Sequence, residues 1–241
     1  MSLYIERCSV SLILATSLPA IKEDEDMKTA DDTSALIKKM VIEASQRSDQ
    51  RKLSFEQLLL PAAFLMLAVS IALAFLIFGS DLEVVSILTR PPFLFKFVVM
   101  VALAAGALLL VRQAGQPGTG RLGVMALVPG LSLMAAGIAL DNSAFPTPGV
   151  SAVSVLSCVG AIVLLSLPVL VAILCVLKCG VPTRPGRDGL MAGLLAGTIG
   201  GAAYAFVCKN DGAAFVAVWY NVAIIIVSIL GSVTGRRLLA W

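Results

Sequence analysis

The chain has 241 residues, of which 59% are hydrophobic and 14% charged, with a net charge of +3. Soluble domains carry about 45–50% apolar and ~25% charged residues, so this composition excludes an ordinary soluble domain. The basic residues lie in short scattered groups, which excludes a nucleic-acid-binding surface. The chain lacks histidine, the commonest general base and metal ligand, and it has no P-loop lysine. We therefore expect that it is not an enzyme.

Apolar runs in chain order predict an all-α polytopic membrane protein with a bundle of six transmembrane helices. A helix needs about 20 mainly apolar residues to cross the hydrocarbon core. Lys96 interrupts the start of the second run, and a lysine one turn inside a helix end can extend to the interface. The membrane domain is predicted at 57–241, with spans at about 58–79, 93–111, 122–140, 153–177, 188–208 and 215–235.

The connections between these spans are strongly asymmetric in charge. Of the 18 lysine and arginine residues, only Arg90, Lys96 and Lys209 belong to the side opposite the N-terminus. Positively charged connections stay in the cytoplasm, so both termini are predicted to be cytoplasmic. The apolar stretch before residue 21 resembles a signal peptide, but Leu18 would make a poor cleavage site, and we expect none.

The N-terminal tail at 27–56 contains a short amphipathic helix in "TSALIKKMVIEASQ". Its apolar stripe has the spacing of one helical face and consists of Leu36, Ile37, Met40, Val41 and Ala44, of which the first four are the candidate partner contacts. Such a helix lies on a membrane surface or docks in the groove of a partner. The periodicity alone does not choose between these two alternatives.

Glycines recur every four residues along the fifth predicted helix, at Gly189, Gly193, Gly197 and Gly201. This spacing lets a second helix approach closely, in the same chain or in a homodimer. The alternative is that glycine is simply frequent in membrane helices.

Two cysteines lie at predicted helix ends on the periplasmic side: Cys158 near the start of the fourth span and Cys208 at the end of the fifth. In that oxidising compartment they could form a disulfide if their Cα atoms came within about 7 Å. Lys209 would favour the thiolate of Cys208, and Asp141 and Asp211 could complete a metal site. Buried cysteines also serve simply as small apolar packing residues, and the sequence leaves both readings open.

The C-terminal third resembles the bacterial six-helix membrane anti-sigma factors, the negative regulators of extracytoplasmic-function sigma factor F. The matching stretches are "SCVGAIVLLSLPVL" at 157–170, "GVPTRPGRDGLMAGLLAG" at 180–197, "YAFVCKNDGAAFVAVWYN" at 204–221 and "GSVTGRRLLAW" at 231–241. The opening "MKTADDTSALIKK" is also typical, so the resemblance covers about residues 27 to 241. It suggests that Met27 is the natural start and that 1–26 is an upstream extension.

The resemblance implies an inner-membrane protein whose tail holds a sigma factor inactive, with the stripe around Ile37 and Met40 as the contact. It also implies that Cys158 and Cys208 sense heavy-metal or oxidative stress, without a resident cofactor but with a heavy-metal ion as a transient ligand. This sequence departs from the family where Val207 replaces a frequent histidine and Ala240 a frequent arginine.

Two alternative classes are a membrane thiol oxidoreductase and a small-solute facilitator. An oxidoreductase would need closely spaced cysteines on the periplasmic side. The one close pair, Cys175 and Cys179, is predicted at the cytoplasmic end of the fourth helix, where we expect both to be packing residues.

Overall fold

A computed structural model describes residues 30–79, 91–114, 123–140, 152–179, 184–208 and 212–239. Throughout these ranges the regular structure is helical, with six α-helices and one short 3₁₀-helix. The α-helices are α1 (Ala30–Phe78), α2 (Pro91–Ala114), α3 (Val128–Leu140), α4 (Ala152–Cys179), α5 (Pro185–Tyr204) and α6 (Ala213–Leu238), and the 3₁₀-helix is Gly123–Leu127. The prediction of an all-α protein is confirmed.

The chain divides into two compact units, Met1–Arg51 and Lys52–Trp241. Helix α1 has 49 residues and contains both the predicted tail helix and the first predicted span. It continues through Pro61, although proline cannot donate the usual backbone hydrogen bond within a helix. The predicted extension at 1–26 lies outside the described residues.

Four helical segments are long and apolar enough, by length and composition, to cross a membrane. They are Gln57–Phe78, Phe93–Ala114, Val155–Lys178 and Ala213–Leu238. Large apolar side chains on their outer surfaces are exposed, for example Phe64 at 70% and Leu76 at 83%. Lipid can solvate such surfaces, whereas water solvates them poorly.

The third and fifth predicted spans differ from these four. The third is divided between the 3₁₀-helix and α3, which has 13 residues, because Pro129 is favoured in a first helical turn. Helix α5 has 20 residues, but its first turn carries Arg187 and Asp188 and its remainder is rich in glycine and alanine. Both features lower its hydropathy, so the count of six spans stays a prediction.

Helix α5 lies inside the second unit and packs against α2, α4 and α6. Every α5 residue from Leu195 to Tyr204 is buried. The core has two apolar clusters along α5: one contains Ile199 and Leu174, and the other contains Tyr204 and Phe215. The second cluster also contains Cys158, with Cys208 packed against it, so the fold places the candidate site at this end of α5.

Candidate thiol site

The structure brings the two predicted sensing cysteines together. Cys158 is fully buried in the second turn of α4, and Cys208 is half-buried. Their thiols are close enough to share a hydrogen bond, and neither forms a disulfide. Two thiols in contact can be linked by oxidation or can bind one soft metal ion between them.

Cys208 lies beyond the end of α5, which corrects the prediction that the fifth helix continues to residue 208. The helix ends at Tyr204, and the chain then forms a turn over 205–207. The backbone N–H of Cys208 donates a 3.0 Å hydrogen bond to the Tyr204 carbonyl, which closes this turn. Helices commonly end in such non-helical turns, which satisfy their last carbonyl groups.

Lys96 of α2 also belongs to this site, which the sequence did not predict. The sequence predicted that this side chain extends to the interface. That prediction is wrong, because the side chain is 1% exposed. The Nζ atom donates a 3.5 Å hydrogen bond to the Cys208 carbonyl oxygen, and Lys96 is near enough to Cys158 for its positive charge to act on that thiol. The sequence feature that could have indicated this role is the position of Lys96, a lysine that interrupts an apolar run.

Aromatic side chains surround the turn that carries Cys208. The Phe206 ring makes edge-on contacts with Phe93, Phe97 and Phe75, at centroid distances of 5.0, 5.5 and 6.1 Å. Edge-to-face pairs at these distances are favourable, so the rings hold the turn between α1 and α2.

Tyr220 of α6 also lies at the site. The residue is fully buried, and its ring centroid lies 6.2 Å from that of Tyr204. Among the described residues its hydroxyl finds no partner with full hydrogen-bonding geometry, although it lies beside the Cys208 thiol. We regard this contact as weak, because sulfur is a poor hydrogen-bond partner.

The other predicted ligands lie outside the described residues, namely Lys209, Asp141 and Asp211. Within the part of the chain that the structure describes, no group of three or more histidine, cysteine, aspartate or glutamate side chains could hold a metal ion. Among the described residues, the ligands available to a metal ion at this site are therefore the two cysteine sulfurs.

The remaining cysteines lie apart from the pair in sequence. Cys175 is exposed in the last turns of α4, so the expectation that it packs in the core is wrong. Cys179 ends the same helix, but its side chain is outside the described residues, as is Cys8.

The predicted glycine series faces α6 over most of its length. A methyl group at Gly193 would lie 2.6 Å from the Cα atom of Ser228, and one at Gly197 would lie 3.1 Å from that of Ile224. At Gly201 the nearest atom would be the Met100 sulfur, at 3.1 Å. The two helix backbones are therefore in direct contact, and the series ends beside the thiol site.

The surface of α6 that contacts these glycines also consists of glycine residues. These residues of α6 were not predicted. A methyl group at Gly189 would collide with the backbone of Gly231 and lie 2.9 Å from Gly235, and Gly231 would in turn collide with Gly189. The four-residue spacing of Gly231 and Gly235 is a visible signal of the same kind as the series on α5.

The predicted tail stripe is exposed where the structure describes it. Ile37, Met40 and Val41 are 53%, 54% and 61% exposed. Leu36 lies in the same helix, but its side chain is outside the described residues. Apolar side chains this exposed form a surface suited to a partner or to lipid.

The described residues form an all-α protein with four helices that are long and apolar enough to cross a membrane. More specifically, the chain belongs to the family described as NrsF, negative regulator of sigma F, whose family model matches residues 44–241.

Two relatives are similar to the chain over about three quarters of their own length. The chain is 32% identical over 165 residues to the probable anti-sigma-F factor NrsF of Azospira oryzae, covering 64% of this chain and 75% of that protein. It is also 32% identical over 159 residues to the anti-sigma-F factor NrsF of Caulobacter vibrioides, covering 63% and 73%. No solved structure matches the chain.

Proposed function

We propose that this protein is an anti-sigma factor that holds an extracytoplasmic-function sigma factor at the bacterial inner membrane. The observation that supports this most strongly is the family match, which includes the whole second unit. The names of the two relatives indicate the same role for those proteins. This match favours a regulator over a thiol oxidoreductase or a solute facilitator.

The proposed topology has six spans with both termini in the cytoplasm. Its support is the charge asymmetry of the connections together with four helices of sufficient length and hydropathy. Helix α5 can be less apolar than the others because helices, rather than lipid, surround it. Its small residues fit the close helix contacts that stabilise membrane bundles.

In this proposal the tail stripe contacts the sigma factor. Its exposed members, Ile37, Met40 and Val41, occupy adjacent positions on one face of α1. A helix with this pattern binds by inserting its apolar face into a groove of the partner. Burial of the stripe would then compete with the contacts that the sigma factor makes with RNA polymerase.

The proposed stimulus acts at Cys158 and Cys208. Oxidation removes two electrons and two protons and joins the sulfurs, whereas a soft metal ion displaces the thiol protons and binds the sulfurs directly. Either event changes the distance between the start of α4 and the turn after α5. To release the sigma factor, the stimulus must favour a packing of these helices in which the tail binds less tightly.

The tail assignment is tested by binding a purified sigma factor to the full-length protein in nanodiscs. The variants Ile37→Asp and Val41→Asp place a charge in the stripe, and we expect each to raise Kd at least about tenfold, or about 1.4 kcal/mol. Lys39→Gln is the control, because Lys39 is exposed between the stripe residues in sequence and lies outside the stripe.

The expected result is weak binding by both aspartate variants and near-normal binding by the control. Equal binding by all three would contradict the proposed contact, and the absence of any sigma-factor binding by the unaltered protein would contradict the function.

A further inference from the structure

Lys96 occupies an energetically costly position beside the thiol pair. Its side chain is 1% exposed in the second turn of α2, next to the buried Phe93. Burial of an ammonium group costs free energy unless other groups compensate for the lost water. Basic residues inside membrane helices therefore usually have a specific role.

Lys96 contacts the turn that carries Cys208. Its Nζ atom donates a hydrogen bond of 3.5 Å to the Cys208 carbonyl, four residues beyond the end of α5. A backbone carbonyl outside a regular helix needs another hydrogen-bond partner when it is away from water, and a lysine can supply one. Lys96 thus connects α2 directly to the backbone of a candidate sensing cysteine.

The same ammonium group lies near Cys158 and hydrogen-bonds to the backbone of Cys208. Lys96 interacts electrostatically with Cys158, whose thiol contacts that of Cys208. A positive charge at this distance attracts anions and stabilises negative charge on sulfur. One residue therefore contributes both to the position of the pair and to the charge around it.

We propose that Lys96 is the positioning residue of the Cys158–Cys208 pair and makes the site selective for anionic and neutral thiol reagents over cationic ones. This inference rests on the proposed sensing function. It adds that a positive charge beside the pair disfavours metal cations relative to a neutral oxidant such as a hydroperoxide.

The chemical step can be written with a hydroperoxide as the oxidant. The Cys208 thiolate attacks the peroxide oxygen, the O–O bond breaks, and the leaving alkoxide takes a proton to become an alcohol. The Cys158 thiol then attacks the resulting sulfenic acid, forming the S–S bond and releasing water. Lys96 stabilises the attacking thiolate, and its hydrogen bond keeps Cys208 beside Cys158.

The test compares two methanethiosulfonate reagents of similar size, one bearing a sulfonate and the other a trimethylammonium group. Their reaction rates at Cys208 are measured by mass spectrometry on the full chain in detergent, with Cys8, Cys158, Cys175 and Cys179 replaced by serine so that no neighbouring thiol displaces the label. The ratio of the two rates reports the local charge, whereas a change in accessibility would move both rates together.

The variants are Lys96→Met, which removes the charge, and Lys96→Arg, which retains it. We expect Lys96→Met to lower the anion-to-cation rate ratio about tenfold or more, as expected for loss of one charge within several ångströms. Lys96→Arg should keep the ratio within about threefold, since arginine stays positively charged. The control is Lys178→Met, because Lys178 is exposed about 30 Å along α4 from Cys158.

Formation of the Cys158–Cys208 disulfide by cumene hydroperoxide is measured in the corresponding proteins that retain Cys158. The expected result is slower bridging in Lys96→Met than in Lys96→Arg. An unchanged rate ratio in Lys96→Met would overturn the proposal, and so would an equal decrease in Lys178→Met. If Lys96→Met fails to fold, an anion-to-cation rate ratio in the unaltered protein no higher than that of a small uncharged thiol would overturn the proposal instead.

These rates do not depend on a sigma factor. Failure of the Lys96 proposal is therefore distinguishable from failure of the anti-sigma function, which the tail-binding experiment tests separately.

Discussion

The two ends of α5 are held in different ways. At its beginning, Gly189 and Gly193 bring its backbone against the backbone of α6. At its end, the contacts come from large side chains, including Phe206, Tyr220 and Lys96. Backbone contacts leave little freedom for adjustment, whereas side chains can reorient. The comparison indicates that the first end fixes the helix pair and the second end can respond to a chemical change.

The largest expected effect is at the glycine contact. Gly193→Ala would place a methyl group 2.6 Å from the Ser228 Cα atom, and neither backbone can move without separating the helices. We expect the free energy of unfolding to fall by about 2–3 kcal/mol, at the upper end of the usual cost of overpacking. Unfolding by SDS, starting from a mild detergent, provides the measurement.

Gly160→Ala is the matched control in α4, because Gly160 is exposed and a methyl group there would meet nothing within 4 Å. We expect it to preserve stability or raise it by up to about 1 kcal/mol, since alanine favours helix more than glycine. Equal losses in the two variants would show that the α5–α6 contact is not the constraint described here.

A much smaller effect is expected from Tyr220→Phe at the other end. The Tyr220 hydroxyl is buried without a well-formed hydrogen bond to any described residue, so its removal loses little favourable interaction. We expect the free energy of unfolding to change by less than about 1 kcal/mol in the same SDS titration. A loss as large as that of Gly193→Ala would mean that both ends are equally intolerant of change.

Most helices could be predicted from the sequence because each depends on a local apolar run. The predicted spans at 153–177 and 215–235 correspond to α4 at 152–179 and α6 at 213–238. The end of α5 was placed four residues too late, because the apolar run continues through the turn after Tyr204. Composition does not distinguish an apolar turn from an apolar helix.

The candidate site could be predicted only in part. Cys158 and Cys208 could be proposed as a pair from the family resemblance, but their contact depends on how α4 and α5 pack. The role of Lys96 arises from a contact 112 residues away in sequence, which periodicity cannot reveal. The interpretation of Lys96 as an interfacial residue used only its distance from a helix end.

The most direct test of the central claim measures release of a bound sigma factor from the full-length protein in nanodiscs after treatment with cumene hydroperoxide. We compare the unaltered protein with Cys158→Ser, Cys208→Ser and the control Cys175→Ser, whose thiol is exposed in the last turns of α4. The account predicts release from the unaltered protein and from Cys175→Ser, and retention by the other two variants. Release at an unchanged rate from both Cys158→Ser and Cys208→Ser would contradict it.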